Sequence, residues 1–218
     1  MADDGDGDYR RSEDYRRRAS AAVLRATEDP SAISSLPQRL RFYTMSAVYI
    51  LALKGVRAAV PHLVPVMAAD LGFDFAAQGM LLASFFQGYF VTMIPAAKLT
   101  AVLGAKAVMG GCLGGSVAVF ALLPRASRRF GVLGAQALLL ALGLIQGGFT
   151  PALSTMNATW IPADGQEKVW AIRGQTLAGD ALCQIVASVV TPALCSGGQW
   201  ARACYACSGA AAVVTVLW

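Results

Sequence analysis

GMLLASFFQGYFVTMIP, residues 79–95, is the stretch of sequence that decides the fold class of this chain. It lies inside a run without charged residues that extends from Phe75 to Ala97. The hydrocarbon core of a bilayer is about 30 Å thick, and a helix needs roughly 20 apolar residues to cross it. The stretch therefore predicts a transmembrane helix.

The composition extends this prediction to most of the chain. The 218 residues are 56% hydrophobic and 14% charged, whereas soluble domains carry about 25% charged residues. The mean hydropathy is +0.53 and the formal net charge is +5. Basic residues are not interleaved with aromatic residues on one face, so we expect no nucleic-acid binding. These values favour a membrane protein with basic connections over a soluble globule.

The first part of the chain differs from the rest. Eight of the 13 acidic residues lie before residue 30, in a segment that is polar and has no apolar run. A signal peptide needs an apolar core of about 7–15 residues, which is absent from this segment. Residues 1–38 are therefore predicted to be a disordered arm.

Residues 39–218 are predicted to be a bundle of six transmembrane helices. The apolar runs that define them cover approximately residues 42–67, 75–99, 107–124, 130–160, 169–194 and 203–218. Short polar connections separate the runs, and three Gly-x-x-x-Gly pairs, at residues 110 and 114, 111 and 115, and 143 and 147, have the spacing that packs membrane helices. No strand alternation is sustained, which argues against a barrel. The fold class is thus an all-α, multi-pass membrane protein, and the sequence does not specify which membrane.

Two cations occupy the middle of the first span. Lys54 and Arg57 lie three residues apart, hence on one face of a helix. A cation at this depth costs at least about 2.5–3.5 kcal/mol unless it faces a polar cavity or pairs with an acid. Asp180 is the one acid within a predicted span, so the surplus positive charge suits an anionic ligand. The alternative is that Lys54 pairs with Asp180 and Arg57 is a structural brace.

Other polar residues have two interpretations each. Gln87 and Tyr89 in the second span either hydrogen-bond neighbouring helices or line a substrate path. Cys204 and Cys207 have the spacing of a redox or zinc pair, but a zinc site needs about four ligands and the single histidine, His62, is distant in the sequence. We therefore expect no metal and no cofactor. No serine-protease motif is present, and the chain is predicted not to be an enzyme.

The second span also resembles a known family. Phe85-Phe86-x-Gly88-Tyr89, followed by Thr92-x-x-Pro95, is similar to the second transmembrane helix of the anion:cation symporter branch of the major facilitator superfamily. This branch includes the vesicular glutamate transporters, sialin, and plant and sodium-linked phosphate transporters. The resemblance covers about residues 40–218, through further motifs in the same order: Ala68–Gly72, Gly143–Gly147, Pro151-Ala152, Trp160–Pro162 and Gly198–Trp200.

The resemblance implies a fold and an activity. The chain would be the amino-terminal half of a transporter, built of two inverted three-helix repeats, with residues 1–38 as a cytoplasmic arm. The substrate would be an organic or inorganic anion, a phosphate or a carboxylate, moved by alternating access with Na⁺ or H⁺ as coupling ion. Its partners would be the lipid bilayer and a missing second six-helix half or a second copy. The alternative is a non-transporting membrane interaction protein derived from such a transporter.

The resemblance also assigns residues. Arg57 falls on the family's first-helix arginine, which is associated with anion binding. Gln146 stands where many members carry a glutamate, so it can hydrogen-bond a substrate but cannot carry a proton. Leu139 and Ala101 replace a family arginine and a family acid, and these departures favour the non-transporting alternative. The predicted substrate-binding residues are Arg57, Lys54, Gln87, Tyr89 and Gln146.

Overall fold

The computed structural model describes residues 36–161, 169, 172–175, 177–195 and 199–218. Every regular element among these residues is helical, as predicted. Residues 1–35 of the predicted arm lie outside the described residues, and the first helix begins at Leu36. The elements are α1 Leu36–Leu71, α2 Phe75–Leu103, α3 Ala105–Gln146, α4 Phe149–Trp160, a π-helical segment Leu177–Leu182, α5 Cys183–Leu194 and α6 Trp200–Leu217.

Five helical stretches among the described residues are long and apolar enough to cross a membrane. This confirms that the described part of the chain is all-α and has several candidate membrane-spanning helices. The stretches are Leu40–Leu71, Phe75–Leu103, Ala105–Trp160, Ile172–Leu194 and Trp200–Leu217.

The third stretch contains a chain reversal. Gly131 has φ 60° and ψ −140°, a conformation that side chains with a Cβ rarely adopt. The thiol of Cys112 lies 3.0 Å from the carbonyl oxygen of Ile145, although 33 residues of a straight helix would separate them by about 50 Å. The two limbs of α3, residues 105–130 and 132–146, are therefore antiparallel.

The reversal was predicted a few residues before the position at which the structure shows it. The charged segment 125–129 was predicted to be the connection, yet it is helical in the structure. Three arginines are compatible with a helix end that reaches polar surroundings, whereas the positive φ of Gly131 is what breaks the helix.

The second limb of α3 packs directly on α2. A Cβ added to Gly143 would lie 2.0 Å from the carbonyl oxygen of Phe85, and one on Gly88 would lie 2.2 Å from that of Leu140. A Cβ on Gly147 would lie 2.8 Å from the carbonyl oxygen of Tyr89. The predicted packing role is thus confirmed for Gly143 and Gly147, because the two backbones touch where these side chains are missing. This contact fixes the segment of α2 between residues 85 and 89. The packing role is wrong for Gly111, where an added Cβ meets no atom within 4 Å.

Two polar anchors tie α1 to the other helices. The hydroxyl of Tyr49, whose side chain is fully buried, donates to the carbonyl oxygen of Met109 in α3. The indole Nε1 of Trp200 donates to Asp70 near the end of α1 at 2.8 Å. Trp200 is also fully buried. It is the first residue of α6, which begins three residues before the predicted start of the last span.

Candidate functional site

A pocket of about 280 Å³ opens between α1, α2 and the π-helical segment. Charged residues come from α1 and from the π-helical segment, and aromatic residues come from α2. The residues that line it are Lys54, Arg57, Ala58, Val60, Pro61, Leu82, Phe85, Phe86, Gly179, Asp180, Cys183 and Gln184.

Three aromatic rings surround the guanidinium of Arg57. Its Cζ atom lies 5.0 Å from the ring centroid of Phe85, 5.2 Å from that of Tyr89 and 5.5 Å from that of Phe86. Such contacts stabilise a cation by about 0.5–2 kcal/mol each, which offsets part of the cost of the charge at this depth. The phenyl rings of Phe85 and Phe86 carry no oxygen or nitrogen acceptor for the N–H donors of the guanidinium, so these donors are available to a ligand.

Arg57 has no acidic partner in the part of the chain that the structure describes. The ion pair in this pocket joins Lys54 Nζ to Asp180 Oδ1 at 2.5 Å. The pairing of Lys54 with Asp180 was one of two alternatives that the sequence allowed, and the structure shows this pairing. Two cations and one carboxylate leave the pocket with a net charge of +1 from these three described residues.

The lysine lies along the backbone of the π-helical segment. A Cβ on Gly179 would lie 2.9 Å from Lys54 Cδ and 2.5 Å from Ile50 Cγ2, so the glycine makes room for both side chains. A π-helical turn within a helix is frequently found at functional sites. Sequence reasoning missed this role of Gly179, because only the pairing of α1 with a segment 126 residues later reveals it.

Tyr89 links the pocket to α4. Its hydroxyl shares a hydrogen bond of 2.8 Å with the hydroxyl of Thr150, and its ring stacks on Phe85 at 6.2 Å. The structure therefore brings together three of the predicted residues, Lys54, Arg57 and Tyr89. It adds Phe85, Phe86 and Asp180. The two phenylalanines lie four and three residues before Tyr89, which is the spacing of neighbouring side chains on a helix surface and was the signal that could have found them.

The other two predicted residues do not reach this pocket. Gln87 is exposed and does not line the pocket, because it lies two residues after Phe85 and thus about 200° around the helix from it. Gln146 is 3% exposed, and its amide donates to the hydroxyl of Ser116 at 3.1 Å. Gln146 thus lies between the two limbs of α3, where the reversal at Gly131 brings residues 116 and 146 together.

Comparison with known proteins identifies relatives of this chain. A profile of the Major Facilitator Superfamily matches residues 45–218. A "Putative inorganic phosphate cotransporter" of Drosophila ananassae is 39% identical over 103 residues, which cover 47% of this chain and 21% of the relative. Sialin of Ovis aries is 31% identical over 146 residues, 66% of this chain and 28% of the relative, and human sialin is 32% identical over 134 residues. The chain thus spans less than a third of the length of these relatives.

Proposed function

Since the chain belongs to the major facilitator superfamily, we propose that it forms one half of a transporter for a small anion. The family and the five apolar helical stretches identify an integral, multi-pass membrane protein. The relatives belong to the anion:cation symporter branch, which is consistent with an anionic substrate. The observation that carries the proposal is the Arg57 guanidinium, which faces a pocket and has aromatic rings, but no acid among the described residues, around it.

The chemistry of the pocket favours a phosphate or a carboxylate. A guanidinium presents a planar fork of N–H donors that matches two oxygens of either group, and the resulting charge-assisted hydrogen bonds are among the strongest in proteins. Lys54 lies one helical turn away and adds a second cation. The anion would neutralise the net charge of the pocket, so its binding is favourable where the positive charge alone is costly.

The rest of the proposed site lies outside this bundle. Transporters of this architecture bind substrate near the bilayer midplane, between two halves that alternate in access. We propose that a second six-helix half, or a second copy of this chain, closes the pocket and that Na⁺ or H⁺ is the coupling ion. The aromatic residues Phe85, Phe86 and Tyr89 would then orient Arg57 toward the interface between the halves.

We also propose that the bundle has six spans arranged as two inverted three-helix repeats. The antiparallel limbs of α3 support this count, because residues 105–160 would then cross the bilayer twice. The first limb contains 26 residues, and a crossing requires roughly 20. The second limb contains 15 residues and needs the 12 residues of α4 to complete a crossing.

Side-specific labelling tests this count. Single cysteines at Lys106, Arg129 and Thr159, in a background without the five native cysteines, should react with an impermeant maleimide in sealed vesicles. We expect residues 106 and 159 to label from one side and residue 129 from the opposite side, with all three labelling after permeabilisation. Labelling of residues 106 and 159 from opposite sides would contradict the double crossing.

An uptake assay tests the transport function. The purified full-length protein, reconstituted in liposomes, should take up at least one of three anions, inorganic phosphate, glutamate or sialic acid. Glucose and choline serve as neutral and cationic controls and should not accumulate. If a folded protein takes up none of the anions under a Na⁺ or a H⁺ gradient, the chain is a membrane interaction protein and the transport proposal fails.

A further inference from the structure

We propose that Asp180 is a built-in competitor of the substrate anion: its carboxylate occupies Lys54 in the empty site, and the entering anion displaces it. The inference rests on the proposed function and adds a residue that tunes its affinity. It starts from the ion pair between Lys54 Nζ and Asp180 Oδ1, which are 2.5 Å apart.

The pair stands where a ligand of Arg57 would contact it. Lys54, Arg57 and Asp180 line the same pocket, and the two cations lie one turn apart on α1, with Cβ atoms about 5–6 Å from each other. An anion with several oxygens can reach both cations at this spacing. The ammonium group of Lys54 can direct all of its N–H donors at that anion only when the carboxylate of Asp180 has moved away.

The exposure of the two partners identifies which one moves. The Asp180 side chain is 62% exposed, whereas the Lys54 side chain is 27% exposed. The carboxylate therefore has room to turn away from Lys54 toward the open side of the pocket. Ion pairs of this exposure are weak, so a substrate that also binds Arg57 can displace the acid.

The surroundings keep the lysine in place when the acid leaves. Lys54 packs along the backbone at Gly179, where an added Cβ would collide with Lys54 Cδ and with the buried Ile50. Asp180 itself lies on the π-helical segment, whose hydrogen bonding is less regular than that of an α-helix. The cation is thus fixed and the anion is on the adaptable element.

The charges of the pocket predict how removal of Asp180 changes the affinity for the anion. With Asp180 on Lys54, the three described charges of the pocket sum to +1, and the entering anion meets one unpaired cation. Once Asp180 is displaced, both cations face the anion. If Asp180 competes with the substrate, removal of its carboxylate should therefore strengthen anion binding. If Asp180 is only a structural brace for Lys54, its removal should weaken anion binding.

Equilibrium binding of radiolabelled inorganic phosphate at one fixed pH tests the proposal. The purified full-length protein is compared with the variants Asp180→Asn, Lys54→Gln and the double variant. We expect Asp180→Asn to bind phosphate about fivefold more tightly, the upper end for an exposed ion pair. Lys54→Gln should bind more weakly, and adding Asp180→Asn to it should bring no gain, because the gain requires a free lysine.

Each outcome decides the question. Tighter binding by Asp180→Asn, or binding by this variant when the unmodified protein binds no phosphate, supports the competitor role. Equal or weaker binding by a folded Asp180→Asn variant overturns it and leaves the transport proposal standing. Absence of binding by both proteins overturns this inference, while uptake of another anion would still uphold the transport proposal. If Asp180→Asn and Asp180→Ala both fail to fold, Asp180 is a structural brace and the competitor role is wrong.

Discussion

Gly143→Leu is expected to prevent the bundle from assembling. Even an alanine Cβ at this position would lie 2.0 Å from Phe85 O and 2.8 Å from Tyr89 N, and both atoms are backbone that cannot turn away. Overpacking of a core costs about 1–3 kcal/mol when side chains can adjust, and we expect a larger loss here because two helices must separate. The measurement is the yield of monodisperse full-length protein on size-exclusion chromatography, together with its melting temperature.

Gly111→Leu is the matched control. Gly111 lies in the first limb of the same helix, and a Cβ there meets no atom within 4 Å. Both variants make the same change in an apolar helix, so a general effect of leucine on helix propensity or hydropathy would affect them equally. We expect the control to assemble normally. Equal behaviour of the two variants would show that the backbone contact between α2 and α3 is not what holds the bundle together.

Arg57→Ala is expected to abolish anion uptake with little effect on folding. Truncating one partner of a buried, hydrogen-bonded charge pair costs about 2–5 kcal/mol, so affinity for the anion should fall roughly 30-fold or more. Folding loses the three cation–π contacts but no longer bears the cost of a cation at this depth, and these two terms are of similar size. No ion pair joins Arg57 to another described residue. Lys54→Ala should have a milder effect on uptake, because the lysine shares its charge with Asp180.

Arg129→Ala controls for loss of a stacked arginine. Its guanidinium lies 5.7 Å from the ring centroid of Phe130, so it has the same kind of contact as Arg57 but lies outside the pocket. Uptake by this variant should equal that of the unmodified protein. A similar loss of uptake in both variants would mean that the effect comes from a missing cation–π contact and not from the binding site.

Local patterns were enough to predict the elements that depend on neighbours in the sequence. The charge-free run around residues 79–95 predicted a spanning helix, and the glycines 143 and 147 predicted close packing, because each signal lies within one helix. The pairing of Lys54 with Asp180 could only be offered as an alternative. It depends on how α1 meets a segment far along the chain.

The differences between sequence and structure have the same origin. Gln146 was predicted to bind substrate from its position in a resembling motif, and the reversal at Gly131 places it against Ser116, away from the pocket around Arg57. The reversal itself was predicted at the arginines 125–129, because a charged segment suggests a connection between spans. The helix breaks at Gly131 instead, and the positive φ of this glycine is seen only in the structure. The aromatic partners of Arg57 were not predicted, although Tyr89 follows Phe85 by four residues and Phe86 by three, the spacing of neighbouring side chains on a helix surface.

Anion binding by an Arg57 series is the measurement that tests the central claim most directly. Binding is preferable to uptake here, because Ala101 stands where the resembling family carries an acid, and a defect in the transport cycle would reduce uptake alone. In purified full-length protein we expect Arg57→Lys to weaken binding of the transported anion by about tenfold, since an ammonium lacks the planar fork. Arg57→Ala should show no detectable binding at an unchanged melting temperature. An unchanged dissociation constant in Arg57→Ala would contradict the account, because Arg57 would then be a structural brace.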